Sequence, residues 1–564
     1  MRPIFAVLFA LAVPLGASAG PRDEALRLAP PDAALTVVAQ NLRDHARALA
    51  ESPFAAWFPT TALGKQLGAG EDGLKQFTEV AAPVLRALDT TPAELFNDVL
   101  GDAVVFSYTP ATGGAPERSL ILVRPRKPEV LSKLADKLNG LQLKSGELKG
   151  VAEHKHAGAS YFARQRPDGS ANYYCFAGGV FAFSESEADI KAALDRAGEP
   201  DKDKQPELAA RMSALGVSDA ALVLLVHPRA LDAEIAAKAK DAPAAERAGL
   251  ERLLTVWKAT EAAAVYLALD AGAEIGVSVR FAADKLPADA KAWLTGGRAP
   301  SAVWQAVPND ALFAIAGRMK ASELLDAMGA LTAAAGKPGF RDGFNAALGP
   351  IVGKDKLPKV LDALGPDFGA WVQPPAKGSS VPVLVAAVRV KDGATAEAKA
   401  ALAALEFGFQ SARVAYNAKH EDQMELTEEK DGEVVIRGLS GGPLPAGARP
   451  CFALKGGYLL VASAPDAIRA FRAPAAEPKP GGPVPVARFG ATATRDYLTA
   501  HASTLAKFLS ATGAGDAKAL AEQLAALATV LEPFEKVELL AHGGTNGLRL
   551  ALRATTTKPL RKEK

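Results

Sequence analysis

The strongest constraint on this chain is internal: its second half repeats the order of signals in its first. Cys175-Phe176-Ala177, Gly178-Gly179 and the apolar run Val180 to Phe183 are answered by Cys451-Phe452-Ala453, Gly456-Gly457 and Tyr458 to Val461. Ser184 and Ser463 close these strands, and Ile190 and Ile468 lie in the helices after them. The separations are 451 − 175 = 276, 456 − 178 = 278 and 468 − 190 = 278, a near-constant offset over unlike residue types. Each block reads as strand, two-glycine turn, strand, then a helix capped by Ser with an acid three residues on, Ser184/Glu187 or Ser463/Asp466.

Other correspondences extend the match. Pro31-Asp32-Ala33-Ala34-Leu35 answers to Pro308-Asn309-Asp310-Ala311-Leu312, each opening an apolar strand and then a helical stretch. A helix ends at Leu100-Gly101 or Leu364-Gly365 and runs into a strand, the first helix opening on the capping box Thr91-Pro92-Ala93-Glu94. Pro/Gly-rich turns at 110–116 and 374–379 lead to return strands, and each half closes on a hairpin. The spacing predicts an α+β repeat at 28–283, a linker at 284–303, a second α+β repeat at 304–555 and a basic, frayed tail at 556–564. Alternating apolar residues in hairpins, with helices between, predict an antiparallel sheet covered on one face by helices.

The Gly-Gly-Tyr-Leu-Leu-Val-Ala-Ser strand at 456–463, running into Pro465-Asp466-Ala467-Ile468, resembles large exported bacterial proteins grouped as a domain of unknown function, the family numbered thirty-three fifty-two. The resemblance implies location and architecture and transfers no site residue.

Arg2, the apolar run Ile4 to Leu15 and Ala17-Ser18-Ala19 before Gly20 read as a secretory signal peptide over 1–19. An uncleaved N-terminal anchor is the alternative. The expected home is the periplasm or the medium beyond it, and no later stretch approaches the roughly 20 apolar residues of a membrane span. With 65 Lys+Arg against 63 Asp+Glu, no field of one sign is available to hold nucleic acid.

Cys175 and Cys451 occupy equivalent places in the two halves. They would meet if the halves packed about a pseudo-twofold axis, and an oxidising compartment would then bridge them. Two buried free thiols are the plainer account, since a bridge needs Cα atoms within roughly 7 Å.

Gly438-Leu439-Ser440-Gly441-Gly442 fits the nucleophile-elbow spacing, but Pro443-Leu444-Pro445 forbids the helix that must follow. Gly68-Ala69-Gly70-Glu71-Asp72-Gly73 fits the dinucleotide fingerprint without a strand ahead of it. His154-Lys155-His156 would set two imidazoles on one strand face, yet no third ligand is indicated, and a solvated polar strand is the default. Phe54, Trp57, Phe58, Trp257 and Trp293 could line a cleft, although core packing is their ordinary role.

No catalytic, cofactor or metal set therefore converges. The expectation is an exported, non-catalytic module that binds a partner protein or a cell-envelope component. A carrier sheltering an apolar ligand under the sheet, and a hydrolase using Ser440, stand as alternatives.

Overall fold

The computed structural model describes residues 20–557, except 62–81, 84, 112–114, 200–203, 241–253, 270–271, 287–290, 292–298, 335–338, 354, 377–378, 446, 476–481, 512, 514 and 545. Residues 1–19, expected to form a signal peptide, the 68–73 glycine motif, Trp293 and residues 558–564 lie outside the described residues. The class is α+β, with every described strand pairing antiparallel. The chain divides into two compact units, one reaching Pro287 and the other running from Ala288 to Lys558.

The first unit opens with α1 (Pro21–Leu28), ahead of residue 28, with Ala25, Leu26 and Leu28 buried. Its strands are β1 (Leu35–Gln40), β2 (Ala103–Thr109), β3 (Arg118–Arg124), β4 (Gly150–His156), β5 (Ala159–Gln165), β6 (Ala171–Ala177), β7 (Val180–Ser184), β8 (Leu222–Val226), β9 (Thr260–Leu269) and β10 (Gly272–Phe281). Pairing places them in the order β4-β5-β6-β7-β3-β2-β1-β8-β9-β10. Helix α2 (Pro128–Ser145) links β3 to β4, while α3 (Glu187–Ala197) and α4 (Glu207–Ala214) link β7 to β8. Period-two burial fixes the strand faces: in β1, Thr36, Val38 and Gln40 are buried while Leu35, Val37 and Ala39 are less so.

The second unit has β11 (Phe313–Arg318), β12 (Leu364–Gln373), β13 (Val383–Val390), β14 (Met424–Asp431), β15 (Val434–Gly441), β16 (Cys451–Lys455), β17 (Tyr458–Ala462), β18 (Val484–Phe489), β19 (Phe534–Gly543) and β20 (Gly547–Thr556). Their order is β14-β15-β16-β17-β13-β12-β11-β18-β19-β20. Helices α5 (Thr395–Asn417), α6 (Pro465–Ala470), α7 (Ala491–Ala511) and α8 (Ala517–Val530) follow β13, β17 and β18 in turn. One core joins the turn around Val303 and the α6 residues Ala467 and Ile468 to Ala314, Trp371, Val385, Cys451 and Leu460 on one sheet face.

The two-glycine turns form as expected. Gly178 and Gly179 sit at φ 58 and 82, Gly456 and Gly457 at φ 57 and 78, so both central residues of each hairpin turn are left-handed, as a type I′ turn requires. The Ser caps form differently. Ser184 Oγ accepts the Ser186 N–H and donates to the Ser119 carbonyl, so Ser186 becomes the N-cap of α3 and accepts from the Asp189 N–H. Ser463 Oγ is likewise engaged by the sheet, accepting the Leu384 N–H, and α6 starts after Ala464 without a side-chain cap. In both places the end of the sheet captures the hydroxyl before the helix can use it. The Thr91/Glu94 capping box is complete.

A Cβ at Gly178 meets open space, whereas one at Gly456 lands 2.6 Å from the Ala473 Cβ. Gly178→Ala should therefore lose about 1–2 kcal/mol for its left-handed backbone. Gly456→Ala should lose about 1 kcal/mol more, because the neighbour must also move. Guanidinium midpoints followed by circular dichroism check this, and equal losses at the two sites would contradict it.

Candidate ligand-binding face

The positions expected to carry chemistry are dispersed. Ser440 lies within β15 opposite Glu425, and Gly441 and Gly442 turn the chain at φ 79 and 58, so no helix follows. Among the described residues no histidine is hydrogen-bonded to it. His154 and His156 do share a strand face, but His154 stacks on Tyr161 at 5.3 Å and His156 Nε2 lies 2.7 Å from Asp195 Oδ1. Among the described residues no three His, Cys, Asp or Glu side chains are grouped to hold a metal. Phe54, Trp57 and Phe58 pack on one another, with centroids 5.2 to 6.4 Å apart, and Trp257 Nε1 donates to Asp232.

Cys175 and Cys451 are free and buried, each in the interior of its own unit. Burial pushes each thiol up to about 12. A thiol reagent at pH 8 should leave the native chain unlabelled and react with both cysteines in denaturant without reductant; a chain that stays unlabelled there is bridged. Because unfolded thiols ionise near pH 9, their contribution to stability is fully present below that pH and is lost as pH rises toward about 12. Cys175→Ala should flatten the alkaline loss.

What the structure does bring together is a surface that hairpin periodicity alone did not reveal. In the first unit one row of directly opposed residues runs Ile121, Phe106, Val37, Leu224, Val265, Val277 across β3-β2-β1-β8-β9-β10. The adjacent row runs Val123, Val104, Ala39, Leu222, Leu267, Ile275. All twelve are apolar. Several stand open to solvent, Ile275 at 54% and Val277 at 45%, with Phe106, Ile121, Leu222 and Val265 also exposed.

The second unit has the same character. One row runs Val461, Ala386, Ala370, Ile315, Ala487, Leu539, Leu552, and the next runs Leu384, Val372, Phe313, Phe489, Val537, Ala554. Leu384 is 53% exposed, and Phe313, Ile315, Leu539 and Leu552 are exposed with it.

The opposite face is covered, and a few polar groups sit within its apolar core. Thr36, Ser107, Ser278 and Glu274 are buried there, and Tyr266 Oη donates to Glu274 Oε1 at 2.7 Å. In the second unit the buried Glu538 accepts from Arg488 Nε at 3.1 Å and pairs with Lys536 Nζ at 3.0 Å. The covered face is otherwise apolar, with Val38, Val105, Leu122, Val223, Leu225 and Ala264 buried on it, so the sheet is apolar on both faces rather than alternating apolar and polar as a water-facing sheet does.

Helices wall the open face at one end. The first row continues through Phe183, Tyr174 and Phe162 to β5. There α2 is clamped onto it: Asn139 Nδ2 donates to Tyr174 Oη at 3.0 Å and Arg164 Nε donates to Asn139 Oδ1 at 2.8 Å. Desolvation under the helix raises the Tyr174 phenol and lowers the Arg164 guanidinium from their ordinary values. In the second unit Phe409 of α5 packs edge-on against Phe452 at 5.0 Å, opposite Val461 of the open row. Helices α7 and α8 close over Val372 and Phe489 of the same face.

No family model, no curated protein and no solved structure matches the chain. Among the described residues no helix is long and apolar enough to cross a membrane.

Proposed function

We propose that this chain is an exported, non-catalytic binding protein of the cell envelope, built from two copies of one α+β unit, which shelters an apolar ligand on the open face of its sheets. The carrying observation is a second apolar face on each sheet, opposite the packed core: two uncharged rows in which Ile275, Val277, Leu384 and Leu552 are among the residues open to solvent. Each row of the first unit spans six strands at ~4.8 Å and covers ~7 Å along them, so two rows form a footprint on the order of 400 Å². Proteins without a partner for such a surface rarely leave a contiguous apolar patch of more than a few hundred Å² open to water.

Duplication is supported by the strand orders, which correspond position for position when ten is added to each strand number of the first unit. The repeated cysteine and two-glycine block, at offsets of 276 and 278, supports it from the sequence side (451 − 175 and 456 − 178). Export rests on the leader pattern over 1–19, and membership of the family numbered thirty-three fifty-two on the strand and cap signals at 456–468.

The native protein should enhance the fluorescence of anilinonaphthalene sulfonate without denaturant. Ile275→Lys and Leu384→Lys should each lower the enhancement, while the thermal midpoint moves only as a surface substitution does, by about 0.5 kcal/mol or less. An enhancement untouched by both substitutions would remove the open face as the binding surface.

A further inference from the structure

Resting on that reading, we infer that the ligand is the acyl chains of a membrane lipid, laid on the uncharged strip of each sheet and bound without regard to the headgroup. Three observations select this occupant over a peptide or a second copy of the chain.

The first is charge. No residue of the twelve in the first unit's two rows carries a charge, a hydroxyl or an amide, so the strip offers nothing to a polar ligand group. Strands β2, β1, β8 and β9 are each paired on both sides, so their backbone donors and acceptors are already used in the ladder. A peptide lying on this face would bring its own amides into apolar contact with no partner for them, which is costly. Hydrocarbon brings none.

The second is size. A third row, Tyr108, Leu35, Val226, Ala263 and Val279, raises the strip from on the order of 400 Å² to about 600 Å². A standard protein interface buries about 600–1,000 Å² on each partner, so the strip, with part of its footprint already screened, reaches no more than the lower end of that range. An acyl chain spans about half of the ~30 Å hydrocarbon core of a bilayer, or ~15 Å, and fits within the ~29 Å width of six strands.

The third is shape. Helix α2, fixed to Tyr174 and Arg164, rises on the same face at one end of the strip and gives it a side wall against which a flexible chain can lie. In the second unit α5 stands at one side and α7 with α8 over Val372 and Phe489 at another, so the floor there is bounded twice.

The test uses the full chain and the fluorescent fatty acid cis-parinaric acid as probe. Probe fluorescence should rise on binding and be displaced by dipalmitoyl phosphatidylglycerol and dipalmitoyl phosphatidylethanolamine at concentrations within about threefold of each other, with palmitate less effective because it covers less apolar surface. Val265→Lys combined with Leu552→Lys should weaken displacement by about tenfold or more, with unchanged circular dichroism and melting, since an ammonium must be desolvated by any chain laid over it. Displacement by palmitate alone, a preference of more than about tenfold for one headgroup, or a double variant that binds like the parent would overturn the inference. If anilinonaphthalene sulfonate binds at Ile275 and Leu384 but parinaric acid and both phospholipids do not, the lipid inference fails while the apolar-ligand reading stands. A chain that dimerises in light scattering with the dye signal lost on association would instead assign the strip to a second copy.

Discussion

The pairing of β1 with β8, and of β11 with β18, is the interaction on which the rest of each unit depends. Leu35 opposes Val226 and Phe313 opposes Phe489, joining positions far apart in the chain. Everything else in the sheets is assembled from shorter returns: β4 to β7 form one meander and β8 to β10 another. Only the β1–β8 and β3–β7 contacts fuse these into one surface. Such distant pairing must offset loop-closure entropy before it is rewarded, which favours a first strand with strong cross-strand partners. Val37, placed between Phe106 and Leu224, is such a partner on the open face, and Val38, between Val105 and Val223, on the covered one.

That same pairing makes the open strip continuous. Without it, Ile121 and Phe106 would belong to one small apolar patch and Leu224, Val265 and Val277 to another. Joined, they form a surface large enough that water contact is a standing cost, at roughly 25 cal/mol for each Å² left uncovered. The core under the covered face bears that cost. In the second unit Trp371, Val385, Cys451, Leu460 and Ile468 are all nearly sealed from solvent in one cluster, so the sheet is held in place from behind while Leu384, Ile315 and Leu552 in front stay exposed.

Much of this was legible in the sequence, and the remainder was hidden for a physical reason. The two-glycine hairpins could be read because a type I′ turn needs left-handed residues at both central positions, a demand few other residues meet. The Ser caps misled because the hydroxyls of Ser184 and Ser463 had two suitors, a helix N-terminus and the end of a neighbouring strand, and only tertiary structure decides between them. The open face left a signal that alternation obscured. Leu222 to Val226 and Leu120 to Val123 are apolar at every position, and such unbroken runs belong to strands buried on both faces. In an antiparallel unit whose core packs on one face while helices reach only part of the other, such a run leaves apolar residues such as Leu222 and Ile121 in water. The nucleophile-elbow and two-histidine patterns failed for the opposite reason, since each matched in spacing but lacked the neighbouring element its chemistry requires.

The placement of the buried acids gives the polarity its direction. Glu274 and Glu538 lie on strands β10 and β19, and each is held by a hydrogen bond or ion pair from its own sheet, Tyr266 to Glu274 and Arg488 and Lys536 to Glu538. A buried carboxylate kept this way costs desolvation that a leucine would not. Acids placed in front, over the same apolar core, would have given an ordinary water-facing sheet with no such cost. The chain instead keeps Ile275 and Val277 in front of β10, and Leu539 in front of β19, with the acids behind. On the proposed reading, an arrangement that gives up stability on both faces at once is accounted for, because the front is then a working surface completed by hydrocarbon rather than by water.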